Sequence, residues 1–402
     1  MSHRRPPPTF EVRGEDEPLR FLSVLRSLPG RRLAGRARWR GEDVFAKALL
    51  DPRRARRQRD AELRGAAILK DSGLPAPSIL TTLQLEEGHL AVLFQWLEEL
   101  ETAVNLLRLD RPAEERADAI LELSSLIGRA EGRGVILTDP HLGNFGRNEK
   151  GWWFLDAGGV QSRRRGAMTR RPEETVFSRF IAQWDPADDE HLDAAAEAWS
   201  RSSKGAVFLP QRWRNAQARQ RRERLTRFDR KMLRASRRFD APAPGLLVSS
   251  DLDPEIREPL LAWARSLDAP SSGRVRIAEN LLVDVRTFDR AKDARKTWCA
   301  HQRLELFRVP HTRALLLGDR YLVERVTDDD GSFDGEALRS LLTRLRTLGA
   351  DGLIHSREDI VWRDGRPILR PRPGARVGPP PPDALEATED EARARALYDS
   401  VD

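Results

Sequence analysis

The sequence predicts an α+β protein made of two mixed segments, one over about residues 18–240 and a smaller one over 251–370. Three observations predict this. Apolar residues recur at strand spacing and at helix spacing by turns along both segments. Apolar types make up 39% of the 402 residues and charged types 33%, enough to bury a core in each segment. The single cysteine, Cys299, leaves no internal disulfide framework and no cysteine-rich zinc site, so packing alone must hold the fold.

Residues 1–17 are polar and proline-rich and read as a flexible leader. Leu33–Arg40 and Asp43–Leu50 read as paired strands around a turn at 40–42, and a helix is expected over about 55–70. Ser72–Gly73 stops that helix, and Pro75 and Pro77 prevent its resumption. Strands follow at Ile79–Gln84 and His89–Trp96. From Pro112 to Arg129 the apolar period becomes helical, and a strand is expected at Trp152–Leu155. Helices are expected over 172–183, 188–201 and 210–238, a linker over 241–250, and a proline-rich, acidic tail over 371–402.

The net charge is +7, which points to anionic partners. Only seven of the 70 basic residues are lysine, so a lysine at a chemically plausible place carries more information than usual. Twelve Arg or Lys residues crowd between Arg212 and Arg238, with few acidic partners and few interleaved aromatics. An anionic membrane surface fits that helix better than nucleic acid, which stacks its bases on aromatic rings. No uncharged apolar run approaches the ~18–20 residues of a membrane span, and no apolar segment follows the basic N-terminal residues, so a cytoplasmic protein is expected.

Four places in the first 160 residues suit one chemistry. Val44–Phe45–Ala46–Lys47 sets a lysine on an apolar strand, and Glu62 follows on the next helix. Asp139–Pro140–His141–Leu142–Gly143–Asn144 holds a carboxylate and an amide five residues apart, and Trp152–Asp156 ends a strand in an aspartate followed by Ala157–Gly158–Gly159. A phosphate chain needs a fixed cation, Lys47, and that ammonium needs an orienting carboxylate, Glu62. Magnesium takes hard oxygen ligands, which Asn144 and Asp156 offer. A reacting hydroxyl needs a carboxylate to receive its proton, which Asp139 offers.

In order and approximate spacing, Lys47, Glu62, Asp139, Asn144 and Asp156 resemble the catalytic set of protein-kinase-like enzymes. The bacterial lipopolysaccharide-kinase-like branch, with its Kdo and heptose kinases, is the nearer likeness. Three details carry it: the helix of Glu62 runs into Gly73–Leu74–Pro75–Ala76–Pro77, the metal loop ends Asn144–Phe145, and the basic residues Arg163–Arg165 and Arg170–Arg171 follow Asp156. The resemblance implies a bilobal fold, with a strand-rich N-lobe over 18–100 and a helical C-lobe over 101–240. It implies ATP and Mg2+ as cofactors. Lys47, Glu62, Phe94 and Trp96 would meet the nucleotide, Asn144 and Asp156 the metal, and Lys47, Glu62 and Asp139 would carry catalysis. The acceptor would be a hydroxyl of a sugar or glycolipid. The pattern departs from that of the family at Leu137, at Ala157, and in lacking a clear glycine-rich loop before Lys47, where Gly30 and Gly35 are the nearest candidates. The Asp139–Asn144 run also resembles the ABC1-type atypical kinases, whose lysine–glycine–glutamine motif is absent. A catalytically weak pseudokinase scaffold and an arginine-rich nucleic-acid binder are the remaining alternatives.

Residues 280–372 repeat the grammar of the first segment. Arg286 stands where Lys47 would, Asp359 where Asn144 would, Arg357 at the catalytic aspartate and Arg370 at the metal aspartate. This predicts a smaller, degenerate kinase-like repeat over 251–370, unable to assemble a magnesium site.

Overall fold

The computed structural model describes residues 7–162, 171–203, 210–236, 238–266, 271–279, 281–326, 334–348, 350, 359–364 and 366–371. Arg163–Arg165, Arg170, Gly352–His355, Arg357 and the tail beyond Pro371 lie outside them. The chain divides into two compact units, residues 1–217 and 218–402. The mixture of strands and helices is that of an α+β protein, with a strand-rich N-terminal part.

The first unit opens with β1 (Thr9–Phe10), β2 (Leu19–Leu28), β3 (Arg32–Trp39), β4 (Glu42–Leu49), α1 (Pro52–Asp71), β5 (Ile79–Gln84) and β6 (Leu90–Gln95). The six strands form one antiparallel sheet in the order β1-β2-β3-β4-β6-β5. The β3–β4 hairpin turns through Arg40 and Gly41, both at positive φ, the two-residue turn whose twist matches that of the strands. Asp51 caps α1 by accepting a hydrogen bond from the Arg53 amide, and Pro52 sits in the first turn, where its missing N–H costs nothing. Helix α1 is polar around most of its circumference and buries only Ala55, Glu62, Gly65 and Leu69, a stripe too narrow to be driven by burial alone.

Residues 1–17 are not wholly a loose leader. β1 pairs with β2, and Val12 is buried and bridges to Leu85. The period-2 pattern of Thr9 to Val12 is too short to stand out in the sequence.

The remainder of this unit comprises β7 (Glu101–Thr102), α2 (Ala103–Leu106), α3 (Ala113–Gly132), β8 (Val135–Leu137), β9 (Phe145–Asn148), β10 (Gly151–Phe154), β11 (Val160–Ser162), α4 (Arg171–Ile181), α5 (Leu192–Ser202) and the start of α6 (Pro210–Met232). Its core sets Leu123, Ile127, Phe177, Phe180, Trp199 and Trp213 together. Trp199 stacks on Phe177 and meets Trp213 edge to face, and its Nε1 donates to the buried Glu131 at 2.7 Å. Among the described residues no helix is long and apolar enough to cross a membrane. Helix α6 buries Trp213, Gln217, Leu225 and Met232, and leaves Arg212, Arg219, Arg222, Arg227 and Arg230 exposed.

The second unit contains β12 (Phe239–Ala243), β13 (Leu246–Ser249), α7 (Pro254–Ser266), β14 (Gly273–Ala278), β15 (Leu281–Thr287), α8 (Ala291–Leu306), β16 (Ala314–Leu317), β17 (Tyr321–Arg325), α9 (Gly335–Thr347), β18 (Ile360–Arg363) and β19 (Arg366–Leu369). Its sheet order is β12-β13-β16-β17-β15-β14. The expected linker over 241–250 is therefore a hairpin, β12–β13, with Leu247, Val248 and the adjoining Phe239 buried. Pro242 is tolerated because β12 is the edge strand, where a missing amide donor leaves no ladder bond unmade, and Pro244 lies in the turn between the two strands. The run β14–β15–α8–β16–β17 has the connection and strand order of β3–β4–α1–β5–β6.

Candidate active site

The sheet of the first unit fixes the lysine. Lys47 lies on β4 opposite Ala34 of β3 and Val92 of β6, so its side chain shares their face. It is 5% exposed and Glu62 is 3% exposed. Lys47 Nζ donates to Glu62 Oε1 and Oε2 at 2.8 and 2.9 Å and to Asp156 Oδ1 at 2.8 Å. The three residues, far apart in the chain, thus meet at one ammonium. Phe94 lies against it with its ring centroid 5.1 Å from Nζ, a cation–π contact.

The charges hold one another. Burial works against the Lys47 cation, but the two carboxylates outweigh it and hold its pKa above the ordinary lysine value. Burial pushes Glu62 up, against the pull of Lys47. Burial would raise Asp156 too; Lys47 beside it and the charge of Arg32 bring its carboxyl down to about 2. At neutral pH Asp156 is therefore an anionic oxygen donor.

A glycine brings α1 to this point. A Cβ on Gly65 would collide with the Ala157 carbonyl oxygen, and one on Gly158 would press on the Glu62 carboxylate at 3.0 Å. The helix thus packs directly on the Ala157–Gly159 turn that follows Asp156. Gly65→Ala sets two effects against each other. Alanine favours a helix by about 1 kcal/mol over glycine, whereas forcing a methyl into closed packing costs about 1–3 kcal/mol. The collision is with backbone, which cannot swing aside, so the second effect wins. The variant is expected to melt lower; unchanged melting would show that the close approach is not required.

The loop residues are tied to the same place through backbone. β8 pairs with β11, Leu137 opposite Val160. The Thr138 amide and hydroxyl both donate to the Gly159 carbonyl at 2.8 Å, which holds Asp139 beside the Asp156 turn. Asn144 Nδ2 donates to the Asp139 carbonyl at 2.9 Å, leaving the amide oxygen as the acceptor end. The Leu155 amide donates to the Asn144 carbonyl at 2.8 Å, which ties Asn144 to the residue before Asp156. Asp139 is exposed and Asn144 partly so. Asp156 and Asn144 supply hard oxygen donors of the kind magnesium takes. Among the described residues no group of three or more His, Cys, Asp or Glu gathers as a metal cluster.

Of the nucleotide residues expected from sequence, Phe94 touches Lys47, whereas Trp96 stands beneath Arg36, whose guanidinium carbon is 5.0 Å from its ring centroid. His141 turns inward on its own loop, its Nδ1 accepting from the Gly143 amide. Trp152 and Trp153 are held by Glu122 and Asn148. Sequence reasoning missed Arg32, whose charge acts on both Asp156 and Glu62.

The second unit has a corresponding arrangement with other residues. Arg286 lies opposite Leu322 on β17, as Lys47 lies opposite Val92 on β6. Its Nε pairs with Glu324, which is 1% exposed, and its Nη1 donates to the Pro371 carbonyl. Burial would raise Glu324, but His301 and Arg286 bring it down to about 2. The assignment of Arg370 to the metal-aspartate position is off by one residue. The Leu155 amide bonds the Asn144 carbonyl, and the Arg370 amide bonds the Asp359 carbonyl. The Phe154 amide bonds the Pro75 carbonyl, and the Leu369 amide bonds the Pro310 carbonyl. Arg370 therefore corresponds to Leu155, and Pro371 to Asp156. Arg370 itself pairs with Asp284 at 2.5 Å.

No protein-family model matches this chain, and no curated protein matches it. Among solved structures, the kinase domain of PknI from Mycobacterium tuberculosis, in a cysteine-to-alanine mutant form, is similar over 50% of this chain and 95% of that chain, at 13% identity and a TM-score of 0.33. A likeness of that size carries no argument about activity, which rests on the site's own geometry.

Proposed function

We propose that residues 18–240 form a protein-kinase-like, ATP- and Mg2+-dependent phosphotransferase with an alcohol group as acceptor. The observation that carries the reading is the buried Lys47 ammonium held between Glu62 and Asp156, from three separate elements. A buried ion pair alone is weak evidence of function. Here one carboxylate lies on a helix wedged in by a glycine, and the other ends a strand beside an exposed carboxylate and amide.

In this reading Lys47 holds a phosphate oxygen, Glu62 keeps its ammonium in place, and Phe94 lies under it. Asn144 and Asp156 would hold Mg2+, which when bound offsets the charge of the phosphates. Asp139 receives the proton of the acceptor hydroxyl. The acceptor class, a sugar or glycolipid, is supported by the resemblance to lipopolysaccharide kinases and by the positive charge of the chain. The exposed arginines of α6 suit an anionic membrane surface. The second unit is read as a degenerate repeat of the first, supported by the shared strand order and by the matched backbone bonds around Asn144 and Asp359.

The test is a Mg2+-dependent rise in melting temperature with ATP, together with transfer to an added hydroxyl acceptor. Asp139→Asn is expected to lower turnover by roughly 10²–10⁴-fold while leaving Mg-ATP affinity near wild type, because its work is on the acceptor proton. Equal loss of both would reassign it. Mg-ATP binding without transfer to any hydroxyl acceptor would leave the scaffold reading instead.

A further inference from the structure

A kinase-like site must hold a polyphosphate, and the hairpin above Lys47 has little backbone with which to do so. The β2–β3 connection is only Pro29, Gly30 and Arg31, with one glycine at positive φ. Gly35 is not available to line a loop, because it lies within β3 and a Cβ there would collide with the Ser23 carbonyl oxygen. No long run of backbone amides is offered to anionic oxygens, as a glycine-rich loop would offer them.

One side chain stands in that place. Arg32 is the first residue of β3 and pairs with Leu49 on β4, two positions from the Ala34–Lys47 pair. Side chains alternate along a strand, so Arg32 and Lys47 lie diagonally on the same face. Among the described residues, its buried Nε has no hydrogen-bond partner. The other arginines on this face of β3, Arg36 and Arg38, are both committed to Asp43 through their Nε atoms, at 2.7 and 2.9 Å. Lys47 is already matched by two carboxylates, so it brings no surplus positive charge to a triphosphate. A buried guanidinium N–H without a partner is costly, and an anion that accepts from it removes the cost.

We propose that Arg32 is a second phosphate-binding cation of the nucleotide site, its guanidinium donating to non-bridging phosphate oxygens in place of a glycine-rich loop. This rests on the kinase reading and assigns to it a residue that the resemblance does not supply. A fork of fixed donors fits two phosphate oxygens at once, which a lysine at this position would not do.

The full-length chain is titrated with Mg-ATP and with adenosine, for wild type, Arg32→Gln and Arg32→Lys. Loss of a charge-assisted hydrogen bond predicts Mg-ATP binding weaker by roughly 10- to 100-fold in Arg32→Gln, with adenosine binding and ligand-free melting unchanged. Arg32→Lys falls between the two. Equal weakening toward Mg-ATP and adenosine would make Arg32 structural and overturn the proposal. Mg-ATP affinity in Arg32→Gln within twofold of wild type would overturn it too, and would leave the kinase reading standing. A wild-type chain that binds no Mg-ATP would overturn both.

Discussion

Lys47→Met and Asp156→Ala are each expected to reduce phosphoryl transfer by at least about 10²–10³-fold, the usual cost of removing one charged group aimed at a reacting centre. Their effects on the fold should differ. Lys47 is 5% exposed and bonded to both carboxylates, so Lys47→Met strands Glu62 in a buried site without its cation. Breaking a buried pair from one side costs about 3–5 kcal/mol, lessened here because burial already raises the Glu62 pKa and allows the carboxyl to take up a proton. A lower melting temperature should therefore accompany the loss of turnover. Asp156→Ala leaves Lys47 paired with Glu62 and should lower the melting temperature less than Lys47→Met does. The sign with pH follows from the depressed Asp156 pKa of about 2. The stability Asp156 contributes is present above the ordinary aspartate pKa and is lost as pH falls toward 2. Turnover assays and melting curves on the same preparations check both expectations. Wild-type-like turnover in either variant would remove the mechanism.

The residues that make this triad were legible because lysine is scarce. Seven lysines among 70 basic residues make one on an apolar strand conspicuous, and Glu62 and Asp156 follow in the expected order. Arg32 was illegible for the converse reason: among so many arginines, nothing in the sequence separates it from its neighbours Arg31 and Arg36. What singles it out is the pairing register, which sets it diagonal to Lys47. The β12–β13 hairpin was misread because alanine and proline spacing looks like a linker, whereas an edge strand tolerates proline. The one-residue slip at Arg370 has a similar origin. Strand residues alternate faces, so a shift of one is invisible to composition and is fixed only by which amide meets which carbonyl.

The wild-type chain is expected to bind one Mg-ATP and the Lys47→Met/Asp156→Ala double variant none. The second unit shares the strand order around its arginine but lacks the chemistry. In the position of Asp156 it has Pro371, whose side chain has no ligand atom at all. In the position of Lys47 it has Arg286, whose charge is spent on the buried Glu324 and whose Nη1 donates to the Pro371 carbonyl. Glu324 occupies the register that Phe94 holds in the first unit, so a buried carboxylate replaces the ring beside the cation. His311 adds to the closed character: burial and the neighbouring His301 push its pKa down to about 4, so it stays neutral near pH 7 and brings no cation to an anion there. A phosphate entering would have to break the Arg286–Glu324 pair and leave the buried carboxylate without its guanidinium, held only by Thr312 and His301. Calorimetric stoichiometry on the full chain decides the matter. One site in wild type and none in the double variant is the expected result. Two sites in wild type, or one surviving in the double variant, would make the second unit a nucleotide-binding unit and end its reading as a degenerate repeat.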